Sequence, residues 1–229
     1  MKPVLNGLTA VLLTLGLIAC GEAPKGEKVE AGEKIESSNQ ATAESTAYAV
    51  DTESSRINWT GSKLVGNSHT GYIKLNEGTL QVENGNLSGG TFVIDMSTLT
   101  DTDLQDEEKR KKLEGHLKSD DFFDVGEHPT ATFEIVEVQE ASDNPDATHR
   151  ITGNLTMKGI TKSVTLPAKI NMSDGQLMAS TPQFTIDRTQ WEVMYGSSAL
   201  DVVKDNVIRD EVGLKIELTA APQQAGNPG

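Results

Sequence analysis

The chain has 229 residues, a formal net charge of −14, a single cysteine and only 4% aromatic residues. So acidic a protein is repelled by phosphate backbones, which excludes nucleic acid as a partner. One cysteine also rules out an intrachain disulfide and any metal site built from several thiolates.

Residues 1–19 carry Lys2 as their only charged side chain, followed by an apolar run over residues 8–19. The run is shorter than the ~20 apolar residues that cross a bilayer, and its charged start and greasy middle read as a signal peptide. Leu17, Ile18, Ala19 and Cys20 at its end resemble a bacterial lipobox. That resemblance implies cleavage before Cys20, acylation of its sulfur, and attachment to the cell envelope of a bacterium, either in the periplasm or on the outer-membrane surface. Each buried acyl methylene adds about 0.8 kcal/mol of membrane affinity, so two or three chains make a permanent anchor. A chance cysteine in an ordinary signal peptide, or a buried free thiol, would be the alternative. The polar sequence that follows gives such a thiol no core to enter.

Residues 20–47 contain no aromatic side chain and only scattered Val and Ile. This composition cannot bury enough apolar surface to offset the entropy of ordering, and it predicts a disordered tether behind the lipidated cysteine. A flexible coil of that length would span about 30 Å. Residues 221–229 are expected to form a disordered tail.

From residue 48 to 220 apolar residues recur with period two. Ile57 and Trp59, Phe92, Ile94 and Met96, Ile151, Leu155 and Met157, Val164, Leu166 and Ala168, Phe184 and Ile186, Trp191, Val193 and Tyr195, and Val212 to Ala220 each define one face of a strand. Turn signals at residues 76–78, 83–86, 142–147 and 173–175 separate the strands. About eight short strands predict an all-β domain, a sandwich or closed barrel. Residues 103–118 break the pattern. Asp and Thr at the start, Glu107 and Glu108 four residues before Lys111 and Lys112, and Leu113 and Leu117 on one face predict a short inserted helix.

Metal and enzyme chemistry find little support in the pattern. Asp101 and Asp103 match the first and third positions of a calcium loop, but Asp106 stands where glycine is needed at the sixth and Lys112 where glutamate is needed at the twelfth. His69, His116, His128 and His149 are dispersed along the chain, and the local signatures of hydrolases, zinc proteases and nucleotide-binding loops are missing. No catalytic residue, metal ligand or cofactor is therefore expected.

Five stretches, beginning "YAVDTESSRINWTG" at Tyr48, "LKSDDFFDVGEHPTATFEI" at Leu117, "ITGNLTMKGITKSVTLPAKI" at Ile151, "FTIDRTQWEV" at Phe184 and "VIRDEVGLKIELTA" at Val207, together resemble the YceI-like periplasmic proteins. The resemblance covers nearly all of residues 48–220. It implies a lipocalin-like antiparallel β-barrel enclosing an elongated apolar cavity for a polyisoprenoid chain, such as a quinone tail or prenyl phosphate. Glu192 departs from the pattern, which places glycine after Trp191, and "VIRDEV" is more charged than the family pattern. The residues themselves show only apolar faces, which would serve equally as a packed barrel core.

The candidate ligand-binding residues are Trp59, Phe92, Ile94, Phe122, Phe123, Phe133, Ile135, Leu155, Met157, Phe184, Trp191, Val193 and Tyr195, because pockets are lined mainly by such side chains. Phe122 and Phe123 are expected to insert into the barrel, and Arg188 to form a structural ion pair. The reading that follows is a lipid-anchored envelope protein, not an enzyme, that carries or sequesters a long apolar lipid such as a polyisoprenoid or quinone. An enzyme acting on such a lipid is one rival, which needs two carboxylates or a histidine and a carboxylate at the cavity. A stress-related surface lipoprotein with a solid barrel and a protein partner is the other, and homodimerisation stays open.

Overall fold

The period-two alternation is realised as a sheet that closes on itself. The computed structural model describes residues 23–37, 45–141, 145–200 and 203–223; Cys20, the predicted signal segment and residues 224–229 lie outside them. The described strands are β1 (Glu27–Val29), β2 (Thr46–Val50), β3 (Arg56–Ser62), β4 (Ser68–Glu83), β5 (Asn86–Asp101), β6 (Thr130–Glu140), β7 (His149–Met157), β8 (Ile160–Ser173), β9 (Gln176–Ser180), β10 (Phe184–Asp187) and β11 (Glu211–Pro222). Between β5 and β6 lies one helix, α1 (Glu107–Lys118). β2 and β3 share one position between β4 and β11, and the order then runs β4, β5, β6, β7, β8, β9 and back to β11. Eight positions thus form an antiparallel barrel, the fold expected from the sequence.

Tight turns set the register of its longest hairpins. Asn84 and Gly85, Lys158 and Gly159, and Asp174 and Gly175 all have positive φ, the geometry of a two-residue turn whose twist matches the flanking strands. The turn expected at residues 76–78 is not one. β4 continues through it with a bulge, its register against β5 slipping between Leu75 and Glu77, and Gly78 sits where a Cβ would meet the side chains of Val50 and Phe92.

Four further expectations are corrected. Residues 221–223 do not belong to a disordered tail: Ala221 and Pro222 pair with β2, and the Gln223 amide donates to the Ala47 carbonyl. The helix begins at Glu107, not residue 103, because Asp106 caps it by accepting the amides of Glu108 and Lys109. Residues 191–195 are not a strand: Trp191 ends a 3₁₀ turn (Arg188–Trp191), and Glu192 follows in the left-handed region with φ 55°. The polar segment over residues 23–37 is not a loose tether. β1 pairs in parallel with β10, Gly32 exchanges two backbone hydrogen bonds with Ser163 of β8, and Ile35 exchanges two with the side chain of Asn154. Composition missed this because the segment is held mainly by its backbone, which completes strand edges left open beside β10 and β8. Val29 supplies the one deeply buried apolar side chain, at 4% exposure.

Inside the barrel the apolar faces form two stacked clusters. One, containing Trp59, Ile94, Met157, Phe184 and Trp191, packs against Leu117 of α1. The other, containing Leu75, Leu80, Phe92, Ile135 and Leu177, fills the opposite half, and Phe133 touches both.

Candidate functional site

The inward faces of the strands leave a cavity of about 180 Å³ that runs from one cluster into the other. Its wall is almost wholly apolar, the polar exceptions being Ser180, Thr181 and Arg188. Nine of the predicted residues line it: Trp59, Phe92, Ile94, Phe123, Phe133, Ile135, Leu155, Met157 and Phe184. They do so because each sits at an inward position of an antiparallel strand, except Phe123, which enters from the turn after α1. Sequence reasoning did not single out the β4 and β8 contribution, in which Ile73, Leu75, Leu80, Leu166 and Ala168 line the same space. The alternation over residues 73–75 and 164–168 carried that signal.

Four predicted residues lie elsewhere. Trp191 and Val193 are completely buried, with Trp191 donating its indole N–H to the Leu155 carbonyl at 3.1 Å, so they hold the structure behind the wall. Phe122 and Tyr195 line a second, outer basin of about 850 Å³ instead. There their rings stand 5.0 Å apart, and His116 meets both edge-on. Phe122 and Phe123 lie in the turn that follows α1, where Phe122 lines the basin and Phe123 lines both spaces.

Basin and cavity share Trp59, Phe123, Arg188 and Val212, which together make the mouth. Arg188 is 2% exposed and tied down on every side. Its guanidinium donates to the carbonyls of Arg209, Val193, Tyr195 and Ile208, faces Asp210 at 3.5 Å, and lies 5.9 Å above the Phe122 ring. Burial lowers its pKa against the opposing pull of Asp210 and Asp187. With four carbonyl acceptors and a paired carboxylate, Arg188 is the structural ion pair that the sequence suggested. Trp59 differs: its indole N–H is buried and has no hydrogen-bond partner among the described residues, leaving a donor at the mouth.

Among the described residues the geometry offers a lined apolar volume with one uncommitted donor at its opening, and no nucleophile and base converge on the cavity wall. Such a site can hold a hydrocarbon and orient one polar end.

Comparison with known proteins gives the family and the fold. The family described as the YceI-like domain matches residues 48–220. A UPF0312 protein of Pseudomonas paraeruginosa is 54% identical over 55 residues, which are 24% of this chain and 27% of that protein. The protein YceI of Salmonella arizonae is 36% identical over 100 residues, 44% of this chain and 48% of its own length. These matches therefore span between about a quarter and a half of the curated relatives. Among solved structures, BcnA of Burkholderia cenocepacia superimposes with a TM-score of 0.56 at 22% identity, covering 75% of this chain and 99% of that one. A polyisoprenoid binding domain from Saccharophagus degradans, implicated in plant cell wall breakdown, gives 0.56 at 14% identity, covering 78% and 99%. At these identities the likeness is one of fold.

Proposed function

The chain belongs to the YceI-like family, and on that footing we propose that its barrel binds the hydrocarbon of a polyisoprenoid, quinone or related long-chain lipid, as a carrier or sequestering module without covalent chemistry. The observation that carries this reading is the cavity itself, an apolar space that joins both core clusters and meets the outer basin at Trp59. Burying hydrocarbon yields about 25 cal/mol per Å², so a few isoprene units suffice for tight binding with hardly any polar contacts. The unpaired Trp59 indole N–H supports a ligand with an oxygen-bearing end, a quinone carbonyl or a prenyl phosphate, seated at the mouth. The solved domain from Saccharophagus degradans, called polyisoprenoid binding, supports the same class of ligand. Acylation at Cys20 and residence in a bacterial envelope complete the proposal, and their support is the signal-like run and lipobox-like residues 17–20.

Native mass spectrometry of the chain secreted from a bacterium, followed by solvent extraction, tests the binding. The expected result is a stoichiometric added mass identified as a prenyl lipid or quinone. Ala168→Phe, which pushes a ring into the cavity, is expected to lower the bound fraction while the protein stays folded. A mass that remains clean after incubation with quinones, prenyl phosphates and fatty acids would overturn the proposal in favour of a solid barrel with a protein partner.

A further inference from the structure

At the rim of the outer basin three side chains from two parts of the sequence converge. β4 and β5 pair antiparallel with Gly71 opposite Asp101, and this register carries His69 to Asp101 and to Asp103 in the turn that follows. One ligand atom from each of the three lies within 4.8 Å of the others. His69 Nδ1 is 3.1 Å from Asp103 Oδ2 and 3.7 Å from Asp101 Oδ2. The remaining carboxylate oxygens are fixed by the backbone: Asp101 Oδ1 accepts the Leu104 amide at 2.8 Å, and Asp103 Oδ1 accepts the Thr70 amide at 2.7 Å. Both acids are thus oriented in advance, with Oδ2 atoms and an imidazole nitrogen facing one point.

Asp101 gives that arrangement its direction. The residue is 3% exposed, its side chain is fully buried, and its Oδ2 has no hydrogen-bond partner among the described residues. A buried carboxylate oxygen without a donor is costly and calls for an explanation. Among the described residues no lysine or arginine lies within salt-bridge distance of either acid; the group that faces them is His69. A cation would relieve both acids at once.

We propose that His69 Nδ1, Asp101 Oδ2 and Asp103 Oδ2 form a binding site for a divalent first-row transition ion of the zinc class. Ligands about 2.0–2.2 Å from zinc stand roughly 3.3–3.6 Å apart in a tetrahedron, so the observed spacings need only small adjustments. One imidazole with two carboxylates suits zinc or manganese; calcium would require about six to eight oxygens. Three protein ligands leave a coordination position open, and His69 lines the basin into which it would face. The sequence pattern did not reveal this set because His69 comes from the neighbouring strand and not from the segment that holds the two acids.

The test is calorimetric titration of the full-length, chelator-stripped chain with zinc chloride. One equivalent is expected to bind and to raise the unfolding temperature, since an ion held only by the folded state stabilises it. His69→Ala and Asp101→Asn are each expected to weaken binding by about tenfold or more. Asp101→Asn keeps the acceptor for the Leu104 amide and can donate to Asp103, so it preserves the fold; should it not, His69→Ala decides alone. His116→Ala, at the other rim histidine, which sits 3.1 Å from Asp121, serves as the control and is expected to bind zinc undiminished. The absence of saturable binding would overturn the proposal. So would binding that survives His69→Ala, or that His116→Ala weakens equally.

Discussion

Glu192 shows how a single backbone angle can matter more than a side chain. It closes the 3₁₀ turn of Arg188–Trp191 with its amide on the Arg188 and Thr189 carbonyls, at φ 55°, while its side chain is exposed. The left-handed conformation costs a residue with a Cβ about 1–2 kcal/mol. Glycine, which the family pattern places here, carries no such cost. Glu192→Gly is therefore expected to raise stability by about 1 kcal/mol after the entropy of a freer unfolded chain is set against it, read as a higher urea midpoint with unchanged slope. An unchanged or lower midpoint would mean that the turn is not strained. Positive φ was legible where the residue types announce it, at Asn84–Gly85 and Asp174–Gly175, and not at Lys158 or Glu192, whose side chains have no preference for it. The same limit explains Trp191, Val193 and Tyr195. Their alternation imitates a strand face, but spacing says nothing about backbone partners, and no partner strand pairs with them.

At the scale of elements, α1 is held to the domain by few apolar contacts. None of its residues is buried, and Leu117 is its main apolar contact with the core. What fastens it is Glu114, whose Oε1 accepts the Thr100 hydroxyl at 2.7 Å and the Asp101 amide at 2.9 Å. Glu114→Ala removes a charged acceptor from two donors and is expected to cost about 1–2 kcal/mol. Hydrogen exchange checks it: α1 amides should lose protection while the β5–β6 ladder keeps its own. Equal loss in both would mean that the helix unfolds only with the barrel. The helix was legible from its charge spacing, yet its start was not. Asp101, Asp103 and Asp106 are all competent caps, and only the three-dimensional structure engages the first two with Leu104, Thr70 and His69 and leaves Asp106 to the helix. Strands were the most legible elements, because half-buried antiparallel faces write their burial directly into the alternation.

For the molecule as a whole, the barrel wall is completed by residues that sequence composition assigned to no structure. β9 closes the ring against β11 over one half, at Glu217 to Ala220. Toward the mouth β11 pairs instead with β10, and the segment over residues 27–32 spans from β10 to β8. Deleting residues 21–35 is expected to lower stability by at least about 2 kcal/mol, from the lost burial of Val29 alone, and to expose the edges of β10 and β8 to association. Urea unfolding and size-exclusion chromatography check both effects, and a monomer of undiminished stability would show the segment to be dispensable. Cys20 precedes β1 by only the six residues 21–26. Fully stretched, they reach about 20 Å. If the cysteine carries the proposed acyl group, the protein is not a float on a long line but a boat moored close to the quay. Its stave and its mooring rope are one continuous piece of chain, so a pull on the anchor would be borne first by the hydrogen bonds that join β1 to β10.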